Sequence, residues 1–332
     1  MKRILKTGCL AFGLWMCWAL IRQVDIREVQ RSLQLLGGWA PTVLIPYFVV
    51  YCIDASAWRA CFGRSGLDGI RFLTLLRIRW CGESLNNVVP TAYVGGEALK
   101  VLLLKKHGIA PDRAAAAAVI SKTVQTLAQL MVLSAAALAF LQRVPSGSPL
   151  RHGLLLVMLG SLGVVVGLFW IQKRGIFATL SSLAAQWGLR LQLIDRWRPR
   201  GEEMDRTITE FYQNERPQFF KGLLLYCLGW LTDTLEVYWF AWLIGSPISW
   251  PQALSVEAFI GLAKILGMFV PGAIGVQESG IVLVGRAVGL SDPLCFSYAL
   301  IRRAREILFA LVGWALFTLE GVSLKSSEAK NT

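Results

Sequence analysis

Charged residues are scarce in this sequence. They make up 17% of its 332 residues, and 55% of the residues are hydrophobic, with a mean hydropathy of +0.53. Soluble domains carry about 25% charged residues. Apolar runs of the roughly 20 residues that cross a bilayer recur along the chain. This composition argues against an ordinary soluble domain and predicts an all-α, polytopic helical membrane protein.

Histidine and paired cysteine are also nearly missing. The two histidines, His107 and His152, lie in separate loops, and the seven cysteines are scattered with no Cys-x-x-Cys pair. Metal and redox sites need such residues in clusters or at short spacings. The sequence likewise has no nucleophile–base arrangement, phosphate-binding loop or dinucleotide fingerprint. We therefore expect no metal, no cofactor and no enzymatic activity.

Acidic residues are fewer than basic ones, with 21 Asp and Glu against 34 Lys and Arg, a net charge of +13. No nucleic-acid motif accompanies this charge, so nucleic acid is not an expected partner. Basic loops of membrane proteins face the cytoplasm, where lipid headgroups are anionic. We expect a multi-pass protein of a bacterial inner membrane whose partners are lipids with anionic headgroups. The sequence does not indicate an oligomeric state.

Two apolar segments broken by proline and glycine repeat along the chain. Pro90 and Pro271 lie 181 residues apart, and Glu97 and Glu278 follow seven residues after them. The same offset places Trp58 on Trp239, Lys105 on Arg286 and Lys122 on Arg303. These matches predict an internal duplication. In membrane proteins, paired broken segments in the two halves point to the substrate site.

The pattern divides the chain into three regions. Residues 1–171 form a first membrane half with its broken segment at 70–104, residues 172–221 form a basic cytoplasmic connector, and residues 222–332 form a second half with its broken segment at 252–290. About six full spans are expected, at Ile4–Ile21, Trp39–Ala60, Ala114–Leu141, Gly153–Ile171, Gly222–Ile244 and Leu294–Leu319.

The basic loops predict the orientation of these spans. If each broken segment is a re-entrant hairpin, all the major basic loops and both termini face the cytoplasm. The second and fifth spans then run in opposite directions, so the duplication is an inverted repeat, which suits alternating access. The second broken segment is apolar enough to cross fully, and the same orientation follows in that case.

Ionisable residues in the spans are the candidate site. Each costs about 2.5–3.5 kcal/mol to insert, so they are retained mainly for function. The candidate substrate-binding residues are Glu83, Asn86, Asn87, Glu97, Lys100, Lys122, Lys264, Glu278, Arg286, Arg302, Arg303 and Glu306. In this hypothesis Lys122, Arg302 and Arg303 neutralise a headgroup phosphate. Glu97 and Glu278 hold these cations and exchange protons.

Two structural alternatives remain open for the same residues. The charges can simply pair with one another, Glu83 or Glu97 with Lys122, and Glu278 or Glu306 with Arg303. The two asparagines can cap the helix end before Pro90 instead of contacting a headgroup.

The broken segments resemble a known family. The residues Asn86/Asn87, Pro90 and Gly95-Gly96-Glu97, and the run from Pro271 to Glu278, are similar to the two motifs of the lysylphosphatidylglycerol synthase transmembrane-region family, which is flippase-like. The chain departs from the family at Lys122-Thr-Val-Gln125, where Arg-x-x-Asp is frequent, and at Ala273, where Gly is frequent. These departures leave the headgroup preference open.

The resemblance implies a function. It implies a stand-alone member that moves a lipid with a polar or phosphate headgroup, of aminoacylated phospholipid or hopanoid type, between leaflets. The transferase domain of the synthase members is not expected, because the chain ends at Thr332. Two alternatives remain, a membrane-embedded lipid-linked transferase and a non-transporting partner of a lipid-biosynthesis enzyme.

Overall fold

The protein is an assembly of α-helices. A computed structural model describes residues 26–64, 67, 69–88, 94–141, 149–175, 177–179, 181, 192–267, 270 and 273–320. The expected first span Ile4–Ile21 and the two prolines of the broken segments, Pro90 and Pro271, lie outside these ranges. Within them the regular elements are one 3₁₀-helix and α-helices, and there is no strand.

Eleven α-helices span the described ranges. They are α1 (Ile26–Leu36), followed by the 3₁₀-helix Gly37–Val43, α2 (Leu44–Ala60), α3 (Phe72–Val88), α4 (Val94–Lys106), α5 (Pro111–Leu141), α6 (Pro149–Arg174), α7 (Gln192–Asn214), α8 (Arg216–Leu243), α9 (Trp250–Leu266), α10 (Val276–Ala287) and α11 (Asp292–Leu319). Proline occupies the first turn of α8, α9 and α11. Proline suits that position because the first amides of a helix have no intrahelical acceptor.

The helix boundaries repeat at the spacing of the two prolines. An offset of 181 residues places α2, α3, α4 and α5 on α8, α9, α10 and α11. Pro111, the first residue of α5, falls on Asp292, the first residue of α11. The described residues thus show four corresponding helices in each copy, and α6 and α7 lie between the two sets in the chain.

The counterpart helices α2 and α8 pack against each other in opposite directions. The Trp239 indole Nε1 donates a hydrogen bond to Thr42 Oγ1 at 3.2 Å, just before the start of α2. Beyond the other end of α2, the Arg64 amide donates to Glu215 Oε1 at 3.3 Å. Helices α2 and α8 are therefore antiparallel.

Each half also packs against the last helix of the other half. Helix α3 lies on α11, where the Trp80 indole donates to the Phe309 carbonyl at 2.8 Å. Helix α5 lies on α9 in the same way, with Gln129 opposite Gly261. The two copies are therefore intertwined, and the space that they enclose has walls from both.

Three described helical stretches are long and apolar enough to cross a membrane, namely Leu33–Ala60, Pro111–Leu141 and Arg151–Ile171. Helices α8 and α11 each have 28 residues but carry several ionisable side chains. Four of these, Glu236, Arg302, Arg305 and Glu306, are buried. These four charges lower the mean hydropathy of α8 and α11, although they face the protein interior.

Candidate functional site

A cavity of about 310 Å³ lies where the two copies meet. Its walls come from α2, α3 and α5 of the first copy and from α8, α9 and α11 of the second. The charged side chains that line it are Asp54, Arg79, Glu83, Lys122, Asp233, Glu257, Lys264 and Arg302. The volume is at the lower end of that of small-molecule sites.

Ion pairs connect the helices of the first copy. Arg79 on α3 contacts Asp54 on α2 at 2.6 Å. Lys100 on α4 contacts Glu97 at 2.7 Å and Glu83 on α3 at 3.5 Å. Lys100 is almost fully buried, so both carboxylates are needed to offset the loss of its hydration.

A second set of ion pairs connects the helices of the other copy. Arg302 on α11 donates two hydrogen bonds, of 2.5 and 2.9 Å, to the Glu257 carboxylate on α9. Lys264 on α9 contacts Glu306 on α11 at 2.8 Å. Arg305 pairs with Glu236 on α8. These contacts fix the side of α11 that faces the cavity.

One ion pair occurs in both copies at equivalent positions. Lys122 Nζ lies 3.2 Å from Glu97, and Arg303 Nε donates to Glu278 at 2.8 Å. Each pair joins the first turn of a short helix, α4 or α10, to the following long helix. Glu278 also accepts a hydrogen bond from the Gly275 amide at 2.7 Å, which caps α10. The internal pairings considered from the sequence are thus present in the structure.

The neighbours of this pair differ between the copies. Lys122 donates to Gln125 at 3.2 Å, whereas Arg303 contacts the carboxylate of Glu306 at 3.2 Å, and Glu306 is the counterpart of Gln125. The lining residue Glu83 has Lys264 as its counterpart. At this position the two walls of the cavity therefore carry opposite charges.

The structure distributes the predicted site residues over three places. On the cavity wall are Glu83, Asn87, Lys122, Lys264 and Arg302. In the ion pairs around it are Glu97, Lys100, Glu278, Arg303 and Glu306. Asn86 and Arg286 are not part of the wall.

Asn86 holds the hairpin of α3 and α4 together. Its Oδ1 accepts a hydrogen bond from the Gly96 amide at 2.8 Å. A Cβ atom at Gly96 would lie 2.2 Å from the Gly82 carbonyl oxygen, so the two helices meet at their backbones. Glycine is needed here for helix packing.

Arg286 lies at the C-terminal end of α10, away from the cavity. It donates two hydrogen bonds of 2.6 Å to the Asp292 carboxylate at the start of α11. These hydrogen bonds lower the pKa of Asp292 below its usual value. The pair is exposed and links two successive helices.

Several lining residues were not among the predicted site residues. The ionisable ones are Asp54, Arg79, Asp233 and Glu257, and the polar ones include Gln125, Gln129 and Tyr226. The sequence signal that could have identified them is their presence in apolar helices, because ionisable residues in membrane spans usually face an interior cavity. The pairing of α2 with α8, which brings Asp54 and Asp233 to one cavity, cannot be read from residue types alone.

The charges of the cavity and its surroundings form one network. Its carboxylates are the eight of Asp54, Glu83, Glu97, Asp233, Glu236, Glu257, Glu278 and Glu306, and its cations are the seven of Arg79, Lys100, Lys122, Lys264, Arg302, Arg303 and Arg305. Among the described residues, no cation lies within 4 Å of Asp233, and its buried Oδ1 has no hydrogen-bond partner. In the same ranges no three His, Cys, Asp or Glu side chains are grouped to hold a metal ion.

The fold and the cavity together define an all-helical membrane protein with a charged interior between two repeats. The model of the family described as the lysylphosphatidylglycerol synthase TM region matches residues 7–313, so the chain belongs to this family. The chain is also 24% identical over 301 residues to the UPF0104 membrane protein of Pyrococcus horikoshii, across 83% of this chain and 86% of the relative. No solved structure matches the chain.

Proposed function

We propose that this protein is a lipid transporter of a bacterial inner membrane that moves a lipid with a polar or phosphate headgroup between leaflets. The observation that carries the proposal is the charged cavity of about 310 Å³ between the two copies. Burying this many ionisable groups in an apolar protein is costly, and membrane proteins retain them mainly along substrate pathways. Membership of the lysylphosphatidylglycerol synthase TM-region family supports a lipid-related role.

The antiparallel relation of the two copies supports alternating access. If α2 and α8 both cross the membrane, their opposite directions make the duplication an inverted repeat. The hairpins α3–α4 and α9–α10 then approach the cavity from opposite faces of the bilayer. Rocking of one repeat against the other exposes a central site to each side in turn.

Lysines are the candidate headgroup ligands. The side chains of Lys122 and Lys264 line the cavity and are 36% and 28% exposed, whereas that of Arg302 is only 4% exposed and is bound at both ends of its fork by Glu257. A lysine ammonium binds phosphate as a point charge and reorients at little cost. We assign phosphate contact to the two lysines and a positioning role to Arg302.

The first test is lipid movement in proteoliposomes. Purified protein is reconstituted with labelled phosphatidylglycerol or phosphatidylethanolamine, and the fraction of label in each leaflet is followed with a membrane-impermeant quencher. The wild type is compared with Lys122→Gln and Arg303→Gln, and Arg286→Gln is the matched control. Each variant removes one positive charge. Lys122 lies on the cavity wall and Arg303 in the ion pairs around it, whereas Arg286 lies at an exposed helix junction.

We expect Lys122→Gln and Arg303→Gln to lose more than about tenfold in rate. A hydrogen bond to a charged group contributes about 1.5–3 kcal/mol, and about 1.4 kcal/mol corresponds to tenfold. Arg286→Gln should retain the wild-type rate. Unchanged transport in both Lys122→Gln and Arg303→Gln would contradict the proposal. No movement of any lipid by folded protein would favour the embedded transferase or the non-transporting partner of a biosynthetic enzyme.

A further inference from the structure

Asp233 is a half-buried carboxylate of the network that has no close counter-charge among the described residues. The network has eight carboxylates and seven cations, and the described structure places no cation within 4 Å of Asp233. Its Oδ1 is buried and has no hydrogen-bond partner among the described residues. An unpaired carboxylate away from water is unfavourable unless it takes up a proton or a cation.

Other carboxylates of the network each contact a cation. Asp54 is held by Arg79 at 2.6 Å, and Glu257 by both nitrogens of the Arg302 fork. Lys122 and Arg303 contact Glu97 and Glu278, to which the sequence hypothesis gave proton exchange. Asp233 differs from these four because no such contact is present for it among the described residues.

The surroundings of Asp233 contain charges of both signs. The helices packed against α8 present to the cavity Asp54 from α2, Lys122 from α5, Glu257 and Lys264 from α9, and Arg302 from α11. The like charges of Asp54 and Glu257 and the opposite charges of Lys122, Lys264 and Arg302 thus line the same cavity as Asp233. Among the described residues, α7 and the 3₁₀-helix place no ionisable side chain on this wall.

We propose that Asp233 is a proton-binding site that couples lipid movement to the proton gradient. The proposal rests on the proposed transport function and adds its energy source. One proton binds a carboxylate oxygen of Asp233 when the cavity is open to the acidic side, and the same O–H bond breaks when the cavity opens to the other side. Nothing is oxidised or reduced. Linkage is reciprocal. If proton binding changes the affinity for the headgroup by a given factor, headgroup binding changes the affinity for the proton by the same factor.

The test compares lipid movement with and without a pH gradient. Proteoliposomes of phosphatidylcholine carry labelled phosphatidylglycerol in one arm and labelled phosphatidylethanolamine in the other. The variants are Asp233→Asn, which imitates the protonated form, and Asp292→Asn, an exposed carboxylate outside the cavity. If one proton moves per transport cycle, the rate of lipid movement by the wild type and by Asp292→Asn should change by up to about tenfold per unit of the pH gradient. Asp233→Asn should move lipid at the same rate with and without the gradient.

Several outcomes would overturn the proton site. One is a gradient response that persists in Asp233→Asn. Another is a wild-type transport rate that does not change with the pH gradient, together with an Asp233→Asn variant that loses movement of phosphatidylethanolamine but not of phosphatidylglycerol. That result would indicate that Asp233 binds the headgroup amine. If Asp233→Asn fails to fold, Asp233→Glu serves in its place and should keep the gradient response. No lipid movement by the folded wild type under any condition would count against the transport function itself.

Discussion

Two arginines that look alike in the sequence have different roles in the structure. Arg302 and Arg286 each bind a carboxylate through two hydrogen bonds. The first pair is buried between α11 and α9, and the second is exposed at a helix junction. Burial decides the energetics, because water stabilises a charge that has lost its partner at the surface but cannot do so in the interior.

Arg302→Met should destabilise the protein by about 3–5 kcal/mol, because it leaves the Glu257 carboxylate buried without a cation. Thermal unfolding of the detergent-solubilised protein measures the change. Adding Glu257→Gln should recover part of the loss. Arg286→Met is the matched control and should give no measurable change, since its partner Asp292 remains solvated. Equal effects of the two arginine variants would show that the Glu257 site is hydrated.

At the scale of elements, the hairpin of α3 and α4 depends on the absence of side chains. Gly82 and Gly96 bring the two backbones into contact, and Asn86 adds a hydrogen bond between the helices. This contact sets the position of Glu83 and Glu97, which lie one turn or less from these glycines. The geometry of the cavity wall therefore depends on the packing of the hairpin behind it.

Gly96→Ala should separate α3 from α4 and destabilise the protein by about 1–3 kcal/mol, because the new methyl group has no space. It should also slow lipid movement, since Glu97 and Lys100 shift with α4. Gly163→Ala on α6 is the control, because nothing lies within 4 Å of a Cβ atom there. The same unfolding and transport assays apply to both. A Gly96→Ala protein with wild-type stability would contradict the close approach.

At the scale of the whole molecule, the direction of the repeats is the main topological feature. Arg64, after α2, and Gly245, after α8, are counterparts at the offset of 181 residues. Since α2 and α8 are antiparallel, these two loops lie at opposite ends of the helix pair. If both helices cross the membrane, the two loops face opposite compartments.

Cysteine labelling tests this arrangement in intact cells. In a variant without the seven native cysteines, Ser246→Cys should react with a membrane-impermeant maleimide, and Arg64→Cys should react only after permeabilisation. Both positions are exposed, so accessibility of the side chain does not limit the reaction. The positive-inside rule places the Arg64 loop in the cytoplasm. Labelling of both positions from the same side would rule out the inverted repeat.

Much of this architecture could be predicted from the sequence because its signals are local or periodic. The spacing of Pro90 and Pro271 predicted which helices correspond, and Glu97 and Glu278 with their cations followed from the same offset. The family resemblance of these motifs is confirmed by the match over residues 7–313.

The site residues that the sequence did not predict depend on contacts between helices that are distant in the chain. Asp54 and Asp233 meet at one cavity only because α2 packs on α8, and no spacing encodes that contact. Arg286 looked like a site residue because it matches Lys105, but both residues are exposed near helix ends. The number of full spans and the re-entrant character of the hairpins remain predictions.

The charge differences between the copies have a consequence for the resting state. In the proposed transport cycle, two copies with identical side chains would give inward-open and outward-open forms that are related by a two-fold rotation and equal in energy. Here Glu83 corresponds to Lys264, and Gln125 to Glu306, so closing one side would make different ion pairs from closing the other. The two forms of the proposed cycle would therefore differ in free energy, and the protein without lipid would favour one face of the membrane.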